Sequence, residues 1–271
     1  MIAGILTKWA FDPTVIVGLL VSIAVYWLYT RGPRAEPEAE PRRTDARFAG
    51  TIVLTFLALE SPLDFLADRY LFSVHMVQHL VLLLGVAPLL ALSLPPALIH
   101  DGWRLPSWLR RAATQPAIVF VAFVGDLWAW HAPPLYEATL HSEWTHVLEH
   151  LSFIATAALF WWIAFDAAGP MPVLARMGYV FVAGIPNTLL GALITFAPGV
   201  LYPSYQLALE QPGLGHALEA QYGVTVLGDQ ELGGLLMWVP GGFVYLLVIV
   251  AIFISWFAKH QAVESGVRVE Y

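Results

Sequence analysis

The chain has 271 residues, of which 58% are hydrophobic and only 12% are charged, and its formal net charge is −7. A soluble domain is roughly 45–50% apolar and about 25% charged, so this composition excludes a water-soluble enzyme domain, a nucleic-acid binder and a disordered regulator. It predicts an all-α protein that crosses a lipid membrane several times. Cysteine is absent and histidine occurs nine times, so disulfides, thiolate metal sites and a cysteine nucleophile are excluded.

Seven apolar stretches approach the length of about 20 residues with which a helix crosses the hydrocarbon core of a bilayer. We therefore predict a polytopic membrane helix bundle, with residues 1–271 forming a single transmembrane domain of seven transmembrane helices. The amino-terminal stretch lacks the basic region and cleavage site of a signal peptide, so we expect the first span to be retained. The predicted spans cover approximately residues 13–29, 48–66, 71–94, 114–131, 146–165, 174–197 and 232–258.

The second span is the least regular of the seven. Its apolar run, from Phe48 to Leu59, would cover only about 18 Å. The segment then continues through the polar Glu60 and Asp64 and through Pro62. Two interpretations fit this pattern, namely a short span with a polar outer end and a re-entrant hairpin.

The positions of Lys and Arg distinguish these interpretations, because cytoplasmic loops collect basic residues. If all seven segments span, eleven of the thirteen Lys and Arg residues lie on one side of the membrane, five of them in or beside the Pro/Glu/Arg-rich linker 30–47. A re-entrant second segment would remove most of this bias. We therefore predict seven spans, the N-terminus outside, and both the linker 30–47 and the C-terminus in the cytoplasm.

Five histidines fall at the predicted outer ends of three spans. His75 and His79 lie in the first turns of the third span, His131 closes the fourth, and His146 and His150 open the fifth. Residues i and i+4 share a helix face, so each HxxxH pair can bind one metal ion. Imidazole suits copper, zinc, iron and nickel. The pattern predicts a metal site, although a lone interfacial histidine is more often a simple anchor, and a proton path or a haem site would also use such residues.

Acidic and thioether side chains are predicted to support these histidines. Asp126, within the fourth span, is expected to pair with a histidine N–H. Glu149 borders the second HxxxH pair, and Glu60 and Asp229 approach from the second and seventh spans. The thioether of Met76 favours Cu(I), but apolar packing explains that residue equally well.

Two connecting segments on the predicted outer side complete this picture. The stretch that begins at Pro133 is expected to be a tight loop that keeps the flanking histidines close together. The stretch 199–231 contains no basic residue and is expected to form a short surface helix that helps to dock a partner.

Three separated motifs resemble the CtaG family of bacterial polytopic cytochrome c oxidase assembly factors. They are HMVQHLVLLLGVAPLLAL, LWAWHAPPLYEATLHSEWTHVLEHLSFIATAALFWW and DQELGGLLMWVPGG, and the resemblance covers roughly residues 48–258. It implies a multi-pass protein of the bacterial plasma membrane that supplies copper, as Cu(I), to the catalytic subunit of a haem–copper oxidase, with a periplasmic copper donor as a further partner. The family's motif residues map onto the five histidines above and onto Asp229, and no catalytic turnover is implied.

Other functions remain open from the residues alone. HVLEH matches H-x-x-E-H, in which two histidines hold zinc and the glutamate acts as a general base, so a membrane zinc metallopeptidase is the principal alternative. Paired histidines could also ligate haem iron. A metal importer or a proton-coupled transporter would fit the Pro186–Asn187 interruption of the sixth span.

Overall fold

The computed structural model describes residues 2–31, 41–94, 106–166, 169 and 171–264. Within these residues the regular structure is helical and no strand occurs, as the all-α prediction requires. One short turn of helix, Ile2–Ile5, precedes the main elements. The main helices are α1 (Pro13–Arg31), α2 (Pro41–Glu60), α3 (Pro62–Arg69), α4 (Phe72–Ser93), α5 (Ser107–Thr114), α6 (Pro116–Trp130), α7 (Pro133–His141), α8 (Glu143–Phe165), α9 (Val173–Thr195), α10 (Pro203–Glu210), α11 (Leu214–Tyr222) and α12 (Val226–Glu264).

Five of the described helices are long and apolar enough to cross a membrane, namely α1, α4, α8, α9 and α12. Two bent pairs, α2 with α3 and α5 with α6, raise this number to seven if each pair crosses as one span. The described part of the chain is therefore all-helical and has five to seven candidate membrane spans. The count of seven, the orientation of the termini and the single transmembrane domain stay predictions.

The second predicted span, 48–66, is not one straight helix. Helix α2 ends at Glu60, and α3 starts at Pro62 and is tilted by 48°. The break falls at Ser61, which caps α3 by accepting a hydrogen bond from the backbone N–H of Leu63. Proline has no N–H for the preceding turn, so the chain begins a new helix there. A similar break precedes Pro116, where α5 and α6 meet at 77°.

The linker between α1 and α2 is shorter than the predicted range 30–47. Residues 41–47 belong to α2, and the linker residues 32–40 lie outside the described ones. Asp45 explains part of this difference, because its carboxylate accepts a hydrogen bond from the Tyr26 hydroxyl at 3.0 Å and pairs with Arg31. These contacts fix the start of α2 against the end of α1, and composition alone could not reveal them.

Helices α4 and α8 form the centre of the bundle and are the most buried of the candidate spans. They pack against each other, and α4 also contacts α2, α3 and α12. Residues Leu82–Val86 of α4 form a wider π-helical turn. Trp161, which is fully buried on α8, donates from its indole N–H to the carbonyl of Leu83 in that turn at 2.8 Å. The two central helices are thus joined by a specific bond just below His79.

Helices α9 and α12 cross at very close range. A Cβ atom at Gly191 would lie 2.8 Å from the carbonyl oxygen of Gly234 and 2.8 Å from the backbone N of Trp238. Small residues permit such backbone contact between membrane helices. Residues Met237–Gly241 of α12 form a second π-helical turn, which contains Pro240.

Short helices cover the end of the bundle where α4 begins and α6 ends, which we call the histidine end. The stretch from Pro133, expected to be a tight loop, is instead helix α7, because proline at the first helical position is already set for the helix. The stretch 199–231 holds two short helices, α10 and α11, where one surface helix was predicted. Tyr136 on α7 and Tyr205 on α10 are both buried among the histidines.

Candidate metal centre

The two HxxxH pairs meet at the histidine end, at the interface of α4 and α8. On α4, the Nε2 atoms of His75 and His79 lie 2.9 Å apart. On α8, the rings of His146 and His150 have centroids 4.1 Å apart. Between the helices, the ring of His150 lies 6.2 Å from that of His75 and 5.6 Å from that of His79. The i, i+4 spacing therefore places each pair on one face, and the packing of α4 on α8 turns the two faces toward each other.

Three of these histidines, together with Glu149, can reach a single ion. Ligand atoms of His75, His79, Glu149 and His150 all lie within 4.8 Å of one another, and all four residues are buried. We call this set the inner group. Metal–ligand distances of about 2.0–2.2 Å place opposite ligands roughly 4 Å apart, so small side-chain movements would close the group around one ion. Imidazole and carboxylate are ligands for a borderline metal.

Glu149 was predicted to support the histidines, but its carboxylate lies among the ligand atoms themselves. Its Oε1 lies 3.7 Å from His79 Nε2, and its Oε2 lies 3.9 Å from His75 Nε2. The residue is fully buried, and neither carboxylate oxygen has a hydrogen-bond partner among the described residues. Burying a carboxylate without a partner is costly, and a bound cation would remove that cost.

Hydrogen bonds fix which nitrogen of His75 carries the proton. Tyr205 donates its single hydroxyl proton to the backbone carbonyl of Ala67 at 2.9 Å. The hydroxyl oxygen of Tyr205 therefore accepts from His75 Nδ1, at 3.2 Å, and from the Tyr136 hydroxyl, at 2.9 Å. With its proton on Nδ1, neutral His75 presents an Nε2 lone pair to the inner group. This is the arrangement that a metal-ligating histidine needs.

His131 is held in the same way but lies beside the inner group rather than within it. Its Nδ1 donates to the carbonyl of Leu127 at 2.7 Å, so Nε2 carries the lone pair. That Nε2 is buried and has no hydrogen-bond partner in the described part of the chain. The His131 ring lies 5.6 Å from the His79 ring. Together with Met76 and Met237, these two histidines line a small cavity of about 30 Å³, large enough for about one water-sized species.

A second set of ligand atoms lies toward the surface. Those of Asp68, His75 and His146 also fall within 4.8 Å of one another, and we call this set the outer group. Asp68 Oδ1 lies 3.5 Å from His146 Nε2. Asp68 was not predicted as a site residue, because it lies at the end of α3 and only the packing of α3 on α4 brings it to the histidines.

Two of the predicted supporting residues, Asp126 and Glu60, have structural partners instead of histidines. Asp126 was expected to pair with a histidine N–H, but its carboxylate accepts from Trp130 at 3.0 Å and from Thr156 at 2.9 Å, which joins α6 to α8. Glu60 accepts from the backbone N–H of Asp12 at 2.9 Å and so holds the amino-terminal segment. Met76 is fully buried and packs near Gly233 of α12, in addition to lining the small cavity.

Asp229 supports the site indirectly, by anchoring the helix that carries the first HxxxH pair. Its carboxylate accepts from the hydroxyl and from the backbone N–H of Ser73, in the first turn of α4. The first turn of a helix has backbone N–H groups without partners, and an acidic side chain stabilises them. This contact fixes the start of α4 against α12, two residues before His75.

The model of the cytochrome c oxidase caa3 assembly factor family, Caa3_CtaG, matches residues 24–259 of this chain. The match contains all three motifs on which the resemblance rests, and it also includes part of α1. No solved structure matches the chain.

Curated relatives occur in mycobacteria. The chain is 24% identical over 272 residues to an uncharacterized protein of Mycobacterium leprae, and 24% identical over 286 residues to uncharacterized proteins of Mycobacterium bovis and Mycobacterium tuberculosis. These alignments cover 92–97% of this chain but 40–42% of the relatives, so the chain spans about two fifths of the length of the curated relatives it matches. Because the family model matches most of the sequence, the chain belongs to the family of cytochrome c oxidase caa3 assembly factors.

Proposed function

We propose that this protein binds Cu(I) at the histidine end of its helix bundle and supplies it to the catalytic subunit of a haem–copper cytochrome c oxidase. The observation that carries the proposal is the inner group, in which three imidazoles and one carboxylate converge with ligand atoms within 4.8 Å. Membership of an oxidase assembly family supports the recipient. Zinc is the alternative metal, since imidazole and carboxylate also bind it.

The surroundings of the inner group favour a soft ion. The thioethers of Met76 and Met237 and the unpartnered His131 Nε2 lie at the next cavity beyond His79. Thioether and imidazole ligands suit Cu(I), which accepts low coordination numbers. An ion held by ligands from two helices can lose them one at a time, which suits delivery to a partner rather than permanent storage.

The proposal also includes a location. We place the protein in the bacterial plasma membrane as a multi-pass protein, with the N-terminus and the histidine end on the periplasmic side. The excess of Lys and Arg on the opposite side supports this orientation. A periplasmic copper donor would then load the site, and the oxidase subunit would receive the ion within the same membrane.

Copper content tests the proposal directly. Purified protein loaded with Cu(I) under reducing conditions is expected to hold about one copper per chain, and His79→Ala or His150→Ala should each lower this content at least about tenfold because each removes a ligand. His216→Ala is the matched control, since His216 is exposed on α11.

In a deletion strain, the wild type and the control should restore the copper content of the oxidase, and the two site variants should not. Full copper in both site variants would contradict the site, and a normal oxidase in the deletion strain would contradict the assembly role.

A zinc metallopeptidase is the second candidate, because a carboxylate oxygen of Glu149 lies within 4.8 Å of a ring nitrogen of His150, one of the two histidines of the H-x-x-E-H motif. Hydrolysis of a peptide by the zinc-loaded protein that is lost in Glu149→Gln would favour it over copper delivery. The haem alternative fits the geometry less well. Within each HxxxH pair the two imidazole rings lie side by side on one helix with centroids 4.1–4.4 Å apart, too close for a porphyrin to lie between them.

A further inference from the structure

An acidic cavity opens beside the histidine cluster. Its volume is about 420 Å³, and its walls come from α3, α7, α8, the end of α2, the start of α1 and the segment before it. Four carboxylates line it, and Arg69 contributes the one guanidinium among the lining residues. The carboxylates are those of Asp12, Asp64, Asp68 and Glu143. A cleft lined mainly by one sign of charge raises the local concentration of the opposite ion and its rate of entry.

The single positive charge of Arg69 does not neutralise four carboxylates. Its guanidinium also lies over the ring of Phe65, 5.4 Å from the centroid. Two of the acids have structural hydrogen bonds. Asp12 accepts from the backbone N–H of Thr14, and Asp64 accepts from the side-chain amide of Gln78 at 2.8 Å.

Asp68 differs from these two acids. Its Oδ1 is buried without a hydrogen-bond partner in the described residues and faces His146 Nε2 at 3.5 Å. That Nε2 is also buried without a hydrogen bond. Two unpartnered ligand atoms thus face each other at the inner wall of the cavity. His150 lines the same cavity and belongs to the inner group, so the cavity borders the proposed copper site.

We propose that the outer group, Asp68, His75 and His146, is a second metal site through which cations pass from the acidic cavity to the inner group. This inference rests on the proposed function for the identity of the final ion. The outer group offers two imidazoles and one carboxylate, a hard ligand that binds Cu(I) weakly, whereas the inner group offers three imidazoles beside its one carboxylate and so holds Cu(I) more tightly. The ion therefore moves inward, and His75, which belongs to both groups, lies at the point of exchange.

An equilibrium test separates the outer group from the inner one. In a His79→Ala background, which disrupts the inner group, Co²⁺ is expected to bind with a visible absorption band from imidazole and carboxylate ligands. Adding Asp68→Asn should abolish this binding, and adding Glu219→Gln, which removes an exposed acid on α11 outside the cavity lining, should not. Co²⁺ binding that survives Asp68→Asn would overturn the second site. This experiment measures Co²⁺ binding alone, so its result does not depend on copper. If the wild-type protein held no copper, that result would contradict the proposed function and leave the test of the outer group valid.

A kinetic experiment tests whether the ion passes through the outer group on its way to the inner group. Cu(I) kept reduced with ascorbate is mixed rapidly with the protein, and unbound ion is trapped by a colorimetric Cu(I) chelator. Asp68→Asn in the otherwise unchanged protein is expected to load about tenfold more slowly than the wild type and to reach the same final copper content. Raising the salt concentration should slow the wild type more than the variant, because it screens the carboxylate.

Two results would overturn the proposal that the ion passes through the outer group. One is loading of Asp68→Asn at the wild-type rate. The other is a lowered final copper content of Asp68→Asn, which would make Asp68 a ligand of the resident ion. His146→Gln is a second variant that should reproduce the slow loading without removing a charge from α3, and it guards against a folding defect of Asp68→Asn.

Discussion

Tyr205 shows how a single side chain far away in sequence can prepare a metal ligand. It is 130 residues from His75, yet its hydroxyl oxygen accepts the Nδ1 proton and leaves Nε2 free to bind an ion. Its own proton is committed to the carbonyl of Ala67, at the end of α3 next to Asp68. The orientation of His75 and the position of the outer group thus depend on the same hydroxyl.

At the residue scale, we predict that Tyr205→Phe weakens Cu(I) binding by about 10- to 100-fold, the range typical of losing the hydrogen-bond partner of a metal-ligating histidine. The phenyl ring keeps the packing, but it leaves the Nδ1–H of His75 unpaired. Competition with a Cu(I) chelator of known affinity measures the effect. Tyr222→Phe, at an exposed position on α11, is the control and should bind like the wild type. Equal affinity for Tyr205→Phe would show that this hydroxyl does not set the ligand.

At the scale of helices, the site depends on α4 being held from three directions. Asp229 of α12 anchors its first turn at Ser73, Trp161 of α8 bonds to its π-helical turn, and α3 packs alongside. Helix α12 is itself positioned by its close crossing with α9. The glycines at that crossing are therefore coupled to the histidines through the backbone of α12.

The crossing gives a prediction for stability. Gly234→Ala would place a Cβ 2.6 Å from the backbone N of Thr195 and 2.7 Å from the carbonyl oxygen of Gly191, so the helices must separate. We expect a loss of about 1–3 kcal/mol in stability, as for other overpacked positions, measured by thermal unfolding in detergent. Gly125→Ala on α6 meets nothing within 4 Å and should be neutral or stabilising by up to about 1 kcal/mol through helix propensity. If both variants unfold alike, the close crossing is not a determinant of stability.

At the scale of the whole molecule, the direction in which the histidine end faces decides which compartment exchanges metal with the site. The absence of cysteine allows this to be measured, because single-cysteine variants react selectively. We predict that Glu219→Cys, exposed on α11 at the histidine end, reacts with a membrane-impermeant maleimide in intact cells. Arg110→Cys, exposed on α5, should react only after the cells are opened. The reverse pattern would place the histidine end in the cytoplasm and refute the charge-based orientation.

Most of the helical framework could be predicted from sequence, because apolar length is a local property. The predicted spans 13–29, 71–94, 146–165 and 174–197 coincide closely with α1, α4, α8 and α9. The predicted seventh span, 232–258, lies within α12, a longer helix that begins at Val226 and extends beyond 258. The sequence left two interpretations of the second span open, and the break at Ser61, beside Pro62, was not predicted. The start of α2 at Pro41 was not predicted either, because it depends on contacts with α1.

The residues of the candidate site also fall into those that the sequence could predict and those that it could not. Helical periodicity was enough to select His75, His79, His146 and His150, because residues four apart share a face whatever the rest of the fold does. It also indicated Glu149, but as a supporting residue. It could not indicate Asp68 or Tyr205, whose positions depend on how α3 and α10 pack onto the central helices.

The sequence by itself determined the composition of a membrane protein, the helical segments, the two HxxxH faces and the family motifs, all of which depend on residue type and short-range spacing. Only the tertiary structure decided that the two faces meet, that Glu149 joins the ligand atoms, that Asp126 and Glu60 serve other contacts, and that an acidic cavity lies beside the histidines. The reason is physical. A ligand set is a relation among side chains on several helices, and it exists only when the packing of those helices fixes the distances between them.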